Sequence, residues 1–347
     1  TDFYPDLLDE RFESNFAIYH QRYSTNTFPT WWLTQPFRVL AHNGEINTLL
    51  GNVNWMRSHE TRMDEPRFGE HIDDLKPVIR TGTSDSAALD AVFELLVRSQ
   101  RELPEVKSLL IPEAWEQSTT VPEMHRDFYA YSNTVMEPWD GPAAIAANGG
   151  RWVLAGMDRN GLRPMRYVIT GDGLLIVGSE ACMVKVDETE VVEKGRLGPG
   201  HMVAVNLQEG RFYKDGELKD KVAAMRPYKE WREKIRDFDT LLADWADESA
   251  RMDRDTLRRR QVAVGWTIED LELILNPMVE EQKEPTGSMG DDAPLAVLSE
   301  NYRGLHHFFR QSFSQVTNPA IDSLRERGVM SLTTWLGNLG NILETAE

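Results

Sequence analysis

Apolar positions along the chain change period three times. Residues 14–24 (SNFAIYHQRYS) carry Phe16, Ile18 and Tyr19 and predict a strand. A loop rich in Pro and Trp follows, then a short buried strand over 36–42 (PFRVLAH), with Asn43-Gly44 as a turn signal. Ile46, Leu49, Leu50, Val53 and Met56 then recur at helical spacing. TGTSDS at 81–86 has good N-cap chemistry and leads into an amphipathic helix over 87–99. From 143 to 213 the pattern turns to paired apolar runs around Asn148-Gly149-Gly150, around Gly171-Asp172-Gly173 and before Arg211, which predict hairpins and an antiparallel sheet. Beyond about residue 225 the period becomes helical and heavily charged, as in a solvent-exposed connector, and a Gly/Pro/Asp loop at 284–296 precedes further helical stretches. These shifts divide the chain into 1–225, a helical connector over 226–283, and 284–347.

Composition narrows what such a chain can do. Among its 347 residues, 38 Lys+Arg stand against 56 Asp+Glu, a net charge of −18. A phosphate backbone would be repelled, which argues against nucleic-acid binding. No apolar run approaches the ~20 residues that span a bilayer, so no membrane partner is expected. Cys182 is the one cysteine. It makes no intramolecular disulfide or multi-cysteine metal site, fits a reducing, cytoplasmic setting, and reads as a small buried residue. The chain opens on Thr1 with no charged-then-apolar leader and is expected to be a processed chain or a fragment.

Four short constellations could carry chemistry. His42-Asn43-Gly44-Glu45 stands at a strand-to-helix corner, where a side-chain amide beside a glycine N–H supplies the two donors of an oxyanion hole; Asn-Gly reads equally as a tight turn. Arg22, in His20-Gln21-Arg22-Tyr23, could grip a carboxylate bidentately or form a structural salt bridge. Asp85, in Thr83-Ser84-Asp85-Ser86, could face a substrate ammonium or share the helix cap with Ser84. Asp158-Arg159-Asn160-Gly161-Leu162-Arg163-Pro164 forms a turn from which two arginines project.

Together and in this order, the motifs resemble the class II glutamine amidotransferases, whose order is an Arg-Tyr strand, His-Asn-Gly, a Ser-Asp-Ser-like turn and a Gly-[Leu/Ile]-Arg-Pro loop. The wording is closer still to the glutamate synthase large (alpha) chains: FAIYHQRYSTNTFPTWWLTQPFRVLAHNGEINTLLGNVNWM, MDRNGLRPMRY and GRLGPGHM, with EPTGSMGDDAPLAVLSE and FRQSFSQVTNPAIDSLRE similar to the start of that family's central domain. The resemblance implies an α+β chain: a four-layer αββα N-terminal-nucleophile hydrolase sandwich, incomplete at its N-terminus, then the connector and the start of an α/β central domain.

By the same resemblance, Asn43 and the Gly44 N–H form the oxyanion hole, Arg22 binds the α-carboxylate of L-glutamine, and Asp85 binds its α-ammonium. The family's nucleophile is an N-terminal cysteine whose own amine is the base. This chain has no cysteine near its start, so the nucleophile is expected upstream and the isolated chain is expected to be inactive. Thr1 as the nucleophile is a minor alternative. FMN and an iron–sulfur cluster are expected in the full-length enzyme but not in this stretch. Further expected partners are the downstream synthase domains and a small NAD(P)H-oxidising subunit. Competing readings are the glutaminase of another class II enzyme and a non-catalytic glutamine-binding module.

Overall fold

The computed structural model describes residues 3–21, 28, 30–180, 182–241, 252–282, 285, 296–300, 304–309, 335 and 340–344. The chain separates into two units, one of residues 1–245 with 334–347, the other of residues 246–333.

The first unit is built on two antiparallel sheets. Strands β1 (Leu40–Gly44), β2 (Ala143–Asn148) and β3 (Trp152–Met157) open the larger one, β4 (Arg166–Thr170), β5 (Leu175–Gly178) and β6 (Val191–Arg196) make the smaller, and β7 (Met202–Asn206) and β8 (Arg211–Tyr213) complete the larger. The five-stranded sheet runs β1-β2-β3-β7-β8 and the three-stranded one β5-β4-β6. All three predicted hairpins form. At the first, Gly150 takes φ +87°, which a side chain would resist, and its N–H donates to Asn148 Oδ1 at 2.8 Å.

Helices α1 (Leu49–Glu60), α2 (Asp85–Arg98), α3 (Leu103–Leu110) and α4 (Glu123–Val135) precede β2, and α5 (Asp215–Ala223) and α6 (Tyr228–Arg232) follow β8. The apolar stripe of α2 (Leu89, Val92, Phe93, Leu96) and that of α3 (Val106, Leu109, Leu110) bury against Leu40, Ile145, Leu154 and Met202 of the large sheet. Each such side chain stabilises by about 1.5–3 kcal/mol relative to exposure. The opposite face of that sheet, with Ala144, Ala155, Met157 and Val203, meets Tyr167, Ile169 and Val177 of the small sheet. The order is therefore helices, sheet, sheet, in an α+β sandwich. Val192, on the outer side of the small sheet, is 68% exposed, and no helix packs there among the described residues.

Several expectations need correcting. Residues 14–21 form no strand: Phe16 and Ile18 alternate with exposed neighbours as a strand would, but no ladder partner satisfies their backbone. Asn43-Gly44 is the end of β1 rather than a turn, because it pairs with Ala144 and Ala143. Leu50 is exposed, since it lies on the face of α1 away from Met56. Cys182 is exposed as well. It sits in the connection between β5 and β6 with φ +61°, a turn conformation at the surface rather than a packed strand. Strand β6 and helices α3, α4 and α5 are additional to the predicted elements.

In the second unit, a helix over Arg254–Ala263 is capped by Asp253, whose Oδ1 accepts from the Asp255 and Thr256 N–H groups at 3.1 and 3.0 Å. A π-helical turn, Asp270–Leu275, continues into a helix over Asn276–Glu281. Of the helical stretch expected at 300–316, the described part holds a 3-10 turn, Leu305–Phe309, and the rest, like most of 318–337, lies outside the described residues.

Strand β1 has a sequence (LAHNG) with little preference for extended structure. Its start is instead fixed by Asp90, a buried carboxylate on α2 that accepts from the Val39 and Leu40 N–H groups at 3.0 and 2.9 Å and from Arg38 N–H at 3.3 Å. Burial raises the Asp90 pKa, and these three backbone donors oppose the rise. Asp90→Ala is expected to destabilise the first unit by about 2–4 kcal/mol, because it orphans buried donors. Asp90→Asn is expected to cost less, and urea unfolding of the two variants checks the order.

Candidate active site

The end of β1 and the start of α2 meet at one point. In β1 the N–H groups of alternate residues point to opposite edges. Val39 O accepts from Asn148 N–H, and Glu45 N–H donates to Pro142 O at 2.8 Å, so odd-numbered residues face β2. His42 N–H, on the other edge, donates to Gln35 Oε1 at 2.6 Å. Gly44 shares the parity of His42. Its N–H therefore points out of the free edge of the sheet, where no acceptor lies among the described residues. Asn43 is exposed beside it, on the sheet face shared with Ala144.

Gly44 cannot carry a side chain. A Cβ there would lie 1.7 Å from Pro142 O and 2.7 Å from His42 Nε2. The close approach seats the Gly44–Glu45 backbone on the Pro142 carbonyl and so fixes where the edge N–H points.

Ser84 caps α2, its Oγ accepting from Ala87 N–H at 3.1 Å. This leaves Asp85, the first helical residue and half-buried, for another task. Asp85 Oδ2 accepts from Ile46 N–H at 2.9 Å, two residues beyond Gly44, while Oδ1 makes no hydrogen bond among the described residues. Ser86 Oγ is 2.7 Å from His42 Nδ1. The His42 ring is thus held from α2 on one side and packed beneath Gly44 on the other; among the described residues its buried Nε2 makes no well-formed hydrogen bond, although the Pro142 carbonyl acts on the ring. Burial pushes the His42 pKa down from its ordinary 6.5 to about 4; Asp85 and the Pro142 carbonyl pull upward, Arg163 and His20 downward. The ring is neutral at pH 7, and the charges of Asp85 and Arg163 reach it.

Asn43, Gly44 and Asp85 are therefore brought together. Arg22 lies outside the described residues. His42 and Ser86, which stand in the candidate motifs without a role of their own, and Asp90, which sequence reasoning passed over, form part of the supporting structure. A charged residue on the apolar face of α2 was the available signal for Asp90. The turn at Asp158 is also more than a turn. Its Oδ1 accepts from the Asn160 and Gly161 N–H groups at 2.8 and 2.9 Å and its Oδ2 from Ala143 N–H at 2.9 Å, tying the Arg163 loop to the strand that pairs with Gly44.

The chain belongs to the class II glutamine amidotransferases: the family described as "Glutamine amidotransferases class-II" matches residues 1–231. Residues 259–347 match the glutamate synthase central domain. Its particular relatives are glutamate synthases. The chain is 66% identical to the NADPH glutamate synthase large chain of Azospirillum brasilense over 349 residues, covering 100% of this chain and 23% of that one. It is 47% identical to ferredoxin-dependent glutamate synthase 2 of Synechocystis over 347 residues, covering 99% of this chain and 22% of the relative. The resemblance read from the sequence holds, and the chain spans less than a quarter of the length of these relatives.

Two stability measurements test the geometry of the site. Gly44→Ala is expected to lower Tm by several degrees, a loss of about 2 kcal/mol or more, because backbone must move to admit the methyl group. The lowered His42 pKa gives stability that is fully present above pH 6.5 and is lost as pH falls towards 4, since the unfolded chain takes up the proton first. In His42→Gln this contribution, up to about 1.4 kcal/mol per pH unit, disappears from the slope of unfolding free energy against pH in that window.

Proposed function

We propose that the chain is the glutamine-hydrolysing part of a glutamate synthase large chain, releasing ammonia from L-glutamine for the reductive amination of 2-oxoglutarate to glutamate. The observation that carries this reading is the unpaired Gly44 N–H beside the exposed Asn43 amide, with Asp85 fixed two residues away.

In this reading a thiolate attacks the side-chain amide carbon of glutamine. The carbonyl oxygen becomes an oxyanion and accepts from the Asn43 side-chain amide and the Gly44 N–H. The Gly44 N–H stands in place beforehand, so little reorganisation of that donor opposes the step. The C–N bond breaks as the nucleophile's own terminal amine returns its proton to the nitrogen, ammonia leaves, and water then hydrolyses the acyl-enzyme to glutamate and the free thiol. Asp85 Oδ1 receives the α-ammonium while Oδ2 stays on Ile46, and Arg22 takes the α-carboxylate through its guanidinium fork. Neutral His42 supports the Gly44 backbone without adding a positive charge beneath it. The nucleophile is a cysteine outside these 347 residues, since Cys182 stands on the surface connection between β5 and β6.

The match to the glutamate synthase central domain favours this reading over the glutaminase of another class II enzyme. The proposed division is a glutaminase domain over 1–225, a connector over 226–283 and the start of the central domain over 284–347. The setting is cytoplasmic, with the downstream synthase domains and a small NAD(P)H-oxidising subunit as partners. FMN and an iron–sulfur cluster belong to the full-length enzyme. One cysteine cannot supply a cluster's thiolates.

In the full-length enzyme, Asn43→Ala is expected to lower kcat for glutamine hydrolysis by about 10²–10³-fold. Asp85→Asn should chiefly raise KM for glutamine. The 347-residue chain alone is expected to release no ammonia from glutamine. Full activity in the Asn43 variant, or ammonia release by the chain alone, would contradict the assignment.

A further inference from the structure

The loop from Gly161 to Arg166 and the stretch from Arg196 to His201 enclose a half-open cleft of about 630 Å³ at one end of the small sheet. Three arginines line it: Arg163, Arg166 and Arg196. Arg166 and Arg196 are direct partners across the β4–β6 pairing, so their side chains leave the same face of the sheet at adjacent positions. Like charges placed opposite one another repel, and neither has a carboxylate to relieve it: none of the three guanidiniums makes an ion pair or hydrogen bond among the described residues. Arg163 Nε is in addition buried without a partner. This concentration of unanswered positive charge occurs in a chain whose net charge is −18.

We propose that this cleft binds a small dianion, either a dicarboxylate or a phosphate. The volume lies within the range of small-molecule sites, roughly 300–1,000 Å³. Guanidinium forks match carboxylate and phosphate oxygens bidentately, and three of them exceed what one monovalent anion can use. Leu162, 46% exposed, provides apolar wall beside the charges, against which a short methylene spacer would pack. The loop is preformed, because Asp158 holds its backbone at Asn160 and Gly161 and its own carbonyl accepts from Gly200 N–H at 2.7 Å, joining the two sides of the cleft. This site does not depend on the glutaminase reading, although Arg163 also acts electrostatically on His42.

The test is calorimetric titration of the full chain with succinate and, separately, inorganic phosphate, at ionic strength held constant with chloride. Acetate serves as the monovalent control. Saturable binding of one equivalent of either dianion, weakened about tenfold or more in Arg166→Gln and in Arg196→Gln, supports the site; which dianion binds identifies the source of the chemistry. Each substitution also relieves the cross-strand repulsion, so without ligand its Tm should equal or exceed that of the parent chain, and the ligand-induced rise in Tm should shrink. Phenylglyoxal modification of Arg166 and Arg196 in the unsubstituted chain, followed by mass spectrometry, should be slowed by the bound dianion. No saturable binding of either dianion, binding no weaker in the double variant, or binding matched by acetate would overturn the proposal.

Discussion

Two carboxylates on one helix govern where β1 lies. Asp90 takes the backbone donors at the start of the strand and Asp85 takes the donor just beyond its end. A strand of modest intrinsic propensity is thereby held at both termini by charge-assisted hydrogen bonds to a helix that is itself anchored by a continuous apolar stripe. The packing of Leu89, Phe93 and Leu96 places α2, α2 places β1, and β1 places Asn43 and Gly44. A change of helix position would therefore be felt at the site before the core lost its integrity. The same helix contributes Ser86 to His42, so three of its residues within a span of six address one strand.

What the sequence disclosed and what it withheld follow from the range of the interactions involved. The hairpins were readable because Asn-Gly-Gly and Gly-Asp-Gly act locally, and α2 because its cap and its stripe lie within one segment. Over its described part, 14–21, the strand expected at 14–24 does not form for a reason no local window contains: its alternation is present, but no neighbour among the described residues offers it a ladder. Strand β6 was passed over because VVEKGR shows a face of mixed character, and only its pairing with β4 makes it a strand. At the site, residue types suggested Asn43, Gly44 and Asp85. The direction of the Gly44 N–H, however, is fixed by parity within a pairing 99 residues distant in sequence, Gly44 with Ala143. Arg22 was legible only as a residue type, and its place lies outside the described residues.

Burial and charge are distributed unequally through the first unit. Around His42 and Asp158 the ionisable groups are enclosed and answered mainly by backbone or hydroxyl partners, which holds loops and tautomers in place. At the outer end of the small sheet, arginines stand together without such partners. The first arrangement belongs to positioning. The second leaves electrostatic attraction unspent on the fold.

The free edge of β1 has one further consequence. An edge with outward-pointing N–H groups is also a template on which a strand from another molecule can pair, the ordinary route to self-association. The donor that would serve a reaction intermediate is thus also a point of colloidal weakness, and it cannot be capped without abolishing its use. Here the strand is short, Gln35 already covers its neighbouring N–H at His42, and the excess of acidic residues sets copies of the chain against close approach. The acidic balance then acts as the counterweight that allows one backbone donor to stay open.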